Sequence, residues 1–535
     1  MLKSLSSSTR NIWLQPLDTN ATAKATAFPG DNATGISAHN DGSRADPRRH
    51  QHWDVRNFFS NYGYLLTGNA LNALFSFLNI WLATHALGSS GYGAVAALMA
   101  AGQAVLTIAV NWTAVSLFRF GAQEFVASGK IAESFWTRGS IALVNLAALL
   151  ATYPLWAGFL LSHYHLTRSD SWLLGAFVCS TALSVQMLYA LQASKRPRQS
   201  AIVLLLERVL VFAALLGIVA THAASIKTVV SAYVAGALIA CSTGMLLLRH
   251  QLSPILLKTA VAVKMVWYSV PMMANGVVGF FSSNFIDAFF ILKYLSLAAL
   301  GIYAVGFQYA GVLMQLPTLA GSLLLPFYVT QLAHGREDRI RRFLLHAHPM
   351  ATLLWSLICV FAGAFGAAVV PRLLGHQFAE VGKVIWPLLI ANAAAGPVLL
   401  GLGTLANAQD KTYKSAIGAL VTASVNVALD IFLIPRFGEA GCAWATTAAY
   451  TAGLLVWLLM SARYCAPLRV LIGLFPICAA YGAVTFGYRG LWPVIFGTAG
   501  FALVAWLGRA ELTENIGSLR EAWAKVEEPP PEVVI

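Results

Sequence analysis

The sequence predicts an all-α polytopic membrane protein of about 14 transmembrane helices, and three observations predict it. Apolar residues make up 58% of the 535 and charged residues only 11%, too few to clothe the several soluble domains a chain of this length would form. Apolar windows of about 20 residues, the length that crosses a hydrocarbon layer roughly 30 Å thick, recur along the whole chain. Lys and Arg gather in alternate loops, which satisfies the positive-inside rule if both termini are cytoplasmic.

The windows fall into three groups. Six lie near 62–84, 93–118, 139–161, 172–192, 201–221 and 228–248. Six more lie near 265–292, 299–328, 343–370, 384–406, 413–435 and 440–462. A last pair lies near 467–487 and 490–508. The predicted organisation is a disordered cytoplasmic tail (1–52), a six-helix lobe (53–250), a second six-helix lobe (251–464), two further helices (465–508) and a cytoplasmic tail (509–535). The tail is rich in Ser, Thr, Asn and Gly without an apolar period. After Arg509, the spacing of Leu512, Ile516, Leu519 and Trp523 predicts an amphipathic surface helix.

A net charge of +13 first suggests a nucleic-acid partner. Its concentration in alternate loops instead points to membrane topology, so no nucleic acid is expected, and membrane lipids are the default surroundings. The six cysteines lie in or beside apolar windows without CxxC or metal-ligand spacing and read as small buried hydrophobes. No cofactor or metal is expected.

The first span carries Asn69, Asn72, Ser76 and Asn79, which helical spacing places on one face. Amides facing lipid are costly, so this face should meet another helix, by interhelical hydrogen bonds, or line a polar cavity. Gln103, Thr107 and Asn111 form a similar face on the second span, and Gln308 and Gln315 on the eighth. Arg119, at the inner end of the second span, reads as a snorkelling interfacial side chain.

Two stretches repeat. Gly91-Tyr-Gly-Ala-Val95, in the first external turn, aligns with Gly301-Ile-Tyr-Ala-Val305 at an offset of 210. Leu191-Gln-Ala-Ser-Lys-Arg-Pro-Arg-Gln-Ser-Ala-Ile202 aligns with Ala406-Asn-Ala-Gln-Asp-Lys-Thr-Tyr-Lys-Ser-Ala-Ile417 at an offset of 215. Six spans is an even number, so both lobes enter from the same side and the pseudo-repeat is parallel, an arrangement of transporters that rock around a central path. The hairpin formed by the eleventh and twelfth spans is the best-punctuated stretch: Ile434-Pro435 should stop one helix, and Gly438 and Gly441 should allow a tight return.

Ionisable residues inside spans are functional candidates by default. Glu207 and Arg208 are adjacent in the fifth span, where neighbouring side chains diverge by about 100°. Asp287 and Asn284 share a face near the outer end of the seventh span and are placed to look across a central cavity at Asn72, Ser76 and Asn79. Asp430 reads as a partly hydrated residue paired with a basic one near its helix end. Asp287 and Glu207 are the candidates for coupling to protons or sodium. Nothing resembles an enzyme motif, and the short external loops weigh against a glycan polymerase or ligase.

Asn426-Val-Ala-Leu-Asp-Ile-Phe-Leu-Ile-Pro-Arg-Phe-Gly-Glu-Ala-Gly-Cys-Ala-Trp-Ala445 resembles the stretch around the eleventh-to-twelfth helix turn in the O-antigen/exopolysaccharide flippase family of the multidrug/oligosaccharidyl-lipid/polysaccharide exporter superfamily. Leu87-Gly-Ser-Ser-Gly-Tyr-Gly93 is similar to that family's first external turn, and the span count extends the likeness over residues 60–508. The resemblance implies a bacterial inner-membrane flippase for a lipid-linked oligosaccharide, with a polysaccharide polymerase and a chain-length regulator as partners. A cation-coupled multidrug or metabolite antiporter of the same superfamily is the alternative. Family members that move anionic lipid-linked glycans line the cavity with several Lys or Arg; here the first span has none.

Overall fold

The computed structural model describes residues 55–164, 167, 170–281, 284–409, 411, 413–488 and 490–509. The tail at 1–52 and the surface helix predicted from Leu512 to Trp523 lie outside these residues. Contacts divide the chain into a short unit, Met1–Phe59, and a single larger one, Ser60–Ile535, to which the packing below belongs.

The described chain is helical, without strands among the described residues. Its first half holds α1 (Val55–Ala109), α2 (Ala114–Ser128), α3 (Ala132–Ala151), α4 (Tyr153–His163), α5 (Ser171–Ala193), α6 (Pro197–Ala220) and α7 (Ile226–Leu248). The second half holds α8 (Thr259–Phe281), α9 (Asn284–Tyr294), α10 (Leu297–Ala333), α11 (Glu337–Arg342), α12 (His348–Leu374), α13 (Val381–Pro397), α14 (Gly403–Ala408) and α15 (Tyr413–Met460). The chain ends in α16 (Pro467–Ile472), α17 (Phe475–Thr485) and α18 (Trp492–Leu507).

Ten described helices are long and apolar enough to cross a bilayer. Two of them are broken: α1 at Gly88 (φ 68°) and α15 at Gly438 (φ 64°). Counting those twice, and adding the shorter apolar helices Thr259–Val270 and Trp492–Leu507, accounts for every predicted window. Glycine is required at both breaks because a Cβ strongly disfavours positive φ.

The stop in the last hairpin is not where the sequence places it. The helix runs through Pro435 and breaks three residues later. A proline in the last turn forfeits only one backbone bond, so it bends the end without stopping it. The tight return holds: a Cβ on Gly441 would lie 2.3 Å from the Leu433 carbonyl oxygen.

The repeat is visible in the backbone. Arg196 N–H donates to the Leu191 carbonyl at 3.0 Å, and Lys411 N–H to the Ala406 carbonyl at 2.9 Å, the same bond at the aligned positions. Basic side chains at the start of α6 and α15 also hold the ends of the helices that return beside them. Arg196 donates to the Leu247 carbonyl at 3.2 Å, and Lys414 to the Met460 carbonyl at 2.8 Å. Such groups complete carbonyls that a helix end leaves unpaired.

At the turns the register differs from the sequence alignment by two residues. A Cβ on Gly93 would fall 1.8 Å from the Leu297 carbonyl oxygen, and one on Gly301 would fall 2.1 Å from the Ser89 carbonyl oxygen. Gly93 is therefore the counterpart of Gly301 and not of Tyr303. The two helix starts cross backbone on backbone, each glycine against the other half's turn. Further bonds between the halves gather around this crossing. Ser89 N–H donates to Gln377 Oε1 at 2.8 Å, Gln308 Nε2 to Tyr92 Oη at 3.0 Å, and Tyr164 Oη to the Phe285 carbonyl at 3.1 Å.

Candidate functional site

The hairpin of α15 builds a buried polar cluster that holds two carboxylates. Asn426 and Asp430 lie one turn apart on its first arm, and Cys442 and Thr446 one turn apart on its second. Asp430 stands eight residues before Gly438 and Thr446 eight after, so folding at the glycine sets both at the same depth, about 12 Å of helix from the turn. Asp287 of α9 and Tyr303 of α10 close the cluster.

All six side chains are buried, Asp287 at 3% exposure and Asp430 at 0%. Asn426 Nδ2 donates to Asp287 Oδ1 at 2.8 Å and to Asp430 Oδ2 at 3.2 Å, tying the two carboxylates together. Tyr303 Oη donates to the other oxygen of Asp287 and stands 3.5 Å from Thr446 Oγ1. Asp430 Oδ1 has no hydrogen-bond partner among the described residues.

No Lys or Arg forms an ion pair with either carboxylate among the described residues. Two ionised carboxylates this close in a low-dielectric interior repel strongly, so a proton or a bound cation must offset the charge. Ligand atoms of Asp287, Asp430 and Cys442 all lie within 4.8 Å of one another. The carboxylate, amide and hydroxyl oxygens suit a hard cation, while the thiol suits a soft one, and oxygens dominate the set. The free oxygen of Asp430 is an unused ligand atom.

This overturns two sequence expectations. Asp430 is fully buried and pairs with no basic residue among the described residues, because the hairpin turns it inward onto Asn426 and Asp287. Asp287 does not look across at Asn72, Ser76 and Asn79; its oxygens are engaged by Tyr303 and Asn426 of its own half. The cysteine expectation fails at Cys179 and Cys478, which are exposed, and needs amending at a buried one. Cys442 is buried, but it sits beside two carboxylates that sequence spacing could not bring to it.

A cavity of about 670 Å³ begins one helical turn from this cluster. It lies between α10, α13, α14 and both arms of α15. Thr422 and Tyr450 line it, each one turn farther from Gly438 than Asn426 and Thr446. Thr318, Thr404, Asn407 and Ser415 add polar groups to a mostly apolar wall.

The other candidates are scattered. Asn79 is buried and donates to the Arg208 carbonyl at 3.1 Å, an interhelical staple between α1 and α6. Asn72, Ser76, Gln103 and Asn111 are half-buried, and Gln315 is exposed. Oδ1 of Asn72, Asn79 and Asn111 is buried without a partner among the described residues. The side chain of Asn284 lies outside the described residues. None of these residues lines the 670 Å³ cavity, and Gln308 serves the crossing. Glu207 and Arg208 do reach one another, at 4.0 Å, and both line a separate cavity of about 160 Å³. Arg119 is exposed, its guanidinium 4.6 Å from the centre of the Tyr268 ring.

One buried cation escaped the sequence reading. Arg138 lies in α3 two turns from its start and is 1% exposed.

Solved structures share this fold. The chain is similar to one described as the lipid II flippase MurJ in an inward closed conformation, at TM-score 0.62 and 12% identity, covering 84% of this chain and 98% of that one. It is also similar to one described as an inward-facing multidrug resistance MATE family transporter of the MOP superfamily, at TM-score 0.55 and 10% identity, covering 75% and 95%. No curated protein sequence matches. The sequence profile described as "Polysaccharide biosynthesis protein" matches residues 58–330, just over half of the chain. With a multi-pass helical fold and that match in hand, the chain belongs to the polysaccharide biosynthesis protein family.

Proposed function

We propose that the protein is a flippase of the bacterial inner membrane that carries a polyprenyl-diphosphate-linked oligosaccharide across the bilayer by alternating access, with both termini cytoplasmic. The family match over residues 58–330 carries this reading, and the likeness of fold to the lipid II flippase MurJ supports it. In this orientation the Gly93–Gly301 crossing is the closed periplasmic end, and the 670 Å³ cavity belongs to a state open toward the cytoplasm. The Asp287–Asp430 pair is the coupling site. A proton or sodium ion bound there cancels one of the two carboxylate charges and so relieves their repulsion, and its arrival and departure move the α15 hairpin one turn above the cavity wall. The physical logic is differential affinity: an ion that favours one packing of the hairpin shifts the balance of the two states.

Depletion of the protein should leave lipid-linked repeat units on the cytoplasmic face, where added glycosidase reaches them only in opened cells. Unchanged delivery to the periplasmic face refutes the assignment. The buried carboxylate pair also favours a second reading, a cation-coupled antiporter of small molecules, for which ion-driven dye efflux by the purified protein in vesicles is the test.

A further inference from the structure

A second cavity, of about 430 Å³, lies in the first half between α3, α5 and α7 and the segment that leads into α8. The cluster and the transport path described above use none of it. Its wall is almost wholly apolar, and Leu143, Ile255 and Leu257 at its lining are each largely exposed on the outer surface of the bundle.

Arg138 lines this cavity and is its one charge. The guanidinium donates to Gln186 Oε1 and, at 3.1 Å, to the Val110 carbonyl, both neutral acceptors. Its Nε has no partner, and no carboxylate forms an ion pair with it among the described residues. The acidic side chain nearest in sequence, Glu133, is occupied by Lys258. A buried cation without a counter-charge is costly at any depth and more so where lipid surrounds it.

We infer that this cavity binds a membrane glycerophospholipid, its phosphate paired with Arg138 and one acyl chain laid along Leu143, Leu146 and Leu183. Depth supports the pairing. Arg138 is the seventh residue of α3, about 9 Å of helix from its start, where a phosphate group can follow a guanidinium inward. The fork of the guanidinium suits phosphate better than any point charge. A glycan-bearing lipid fits poorly, because the neighbouring polar groups are already engaged. Gln186 Nε2 donates to the Phe135 carbonyl, Trp136 Nε1 to the Leu252 carbonyl, and Ser140 Oγ to the Thr137 carbonyl. Sugar hydroxyls would meet apolar wall.

Cys179 lines the cavity and is exposed, so its thiol reports occupancy. The experiment uses full-length protein in detergent with Cys478, the other exposed cysteine, replaced by serine. Maleimide labelling of Cys179 is timed with and without dioctanoyl phosphatidylglycerol, and native mass spectra record retained lipid. Added lipid should slow labelling and appear as a single adduct. Arg138→Gln keeps the size and a donor but removes the charge, and should weaken protection roughly tenfold, the scale of one charge-assisted pair. Leu143→Trp, at a surface position that leaves the core intact, should occlude the cavity and abolish the adduct. Protection that is equal in both variants and the parent overturns the inference. So does protection by a polyprenyl phosphate alone, which would place the cavity on the substrate's route.

Discussion

Gly93→Ala is the sharpest test of the proposed gate. The added Cβ would stand 1.8 Å from the Leu297 carbonyl oxygen, 2.6 Å from its carbonyl carbon and 3.1 Å from the Gly301 nitrogen. All three are main-chain atoms, so no rotamer change can relieve the clash. Restoring ordinary contact means parting the helix starts by about 1.5 Å, at an overpacking cost of roughly 1–3 kcal/mol. If the crossing forms only in the closed state, that cost shifts the open-to-closed ratio by about 5- to 150-fold. Spin labels at Ser90 and Glu380, both exposed and on opposite halves near the crossing, report the change as a distance distribution by electron–electron resonance. Cys179 and Cys478 are replaced first, since they are the exposed thiols. The alanine variant should move weight to longer distances, and Gly93→Ala with Gly301→Ala should add less than the sum of the two, because one separation relieves both clashes. An unchanged distribution, with translocation at the parent rate, would show that the crossing is not a gate.

Other expectations are briefer. Asp287→Asn and Asp430→Asn should each abolish the dependence of transport on the coupling ion, measured as the ion-gradient response in vesicles; a parental response in both would exclude the cluster as the coupling site. Tyr303→Phe removes the phenol that donates to Asp287 and should cost about 1.5–3 kcal/mol, the scale of a hydrogen bond to a charged group, read as a lower unfolding temperature in detergent. If the unfolding temperature holds, Asp287 does not rely on that bond. Thr318→Trp projects an indole into the 670 Å³ cavity and should block substrate while leaving ion binding intact. Full complementation by this variant would remove the cavity from the path.

The fold was legible because membrane helices obey a simple rule: length and apolarity suffice, and each predicted window became helix. The hairpin was legible in Gly438 and Gly441, which do what only glycine does there. The inner-loop repeat was legible too, down to a shared backbone bond. The site was not. Asp287 lies more than a hundred residues before Asn426, Asp430 and Thr446, and only the hairpin's fold shows that the faces of its arms meet. A lone carboxylate in an apolar run is an oddity; two sharing an amide are a device. Arg138 was missed for a plainer reason. The predicted window opens at residue 139, whereas α3 starts at Ala132 and carries the charge two turns into the bundle.

The crossing of Gly93 and Gly301 also governs how the protein can mutate. A side chain at either glycine presses on main chain, and main chain has no smaller form to which it can retreat. Compensation for Gly93→Ala must therefore come from the path or length of a turn. Selection for restored growth should return insertions, deletions or proline and glycine changes within 86–92 and 294–300, and not large-to-small exchanges along the neighbouring helices. Two distant stretches of the gene are in this sense one inherited unit, and a change in either is read against the other.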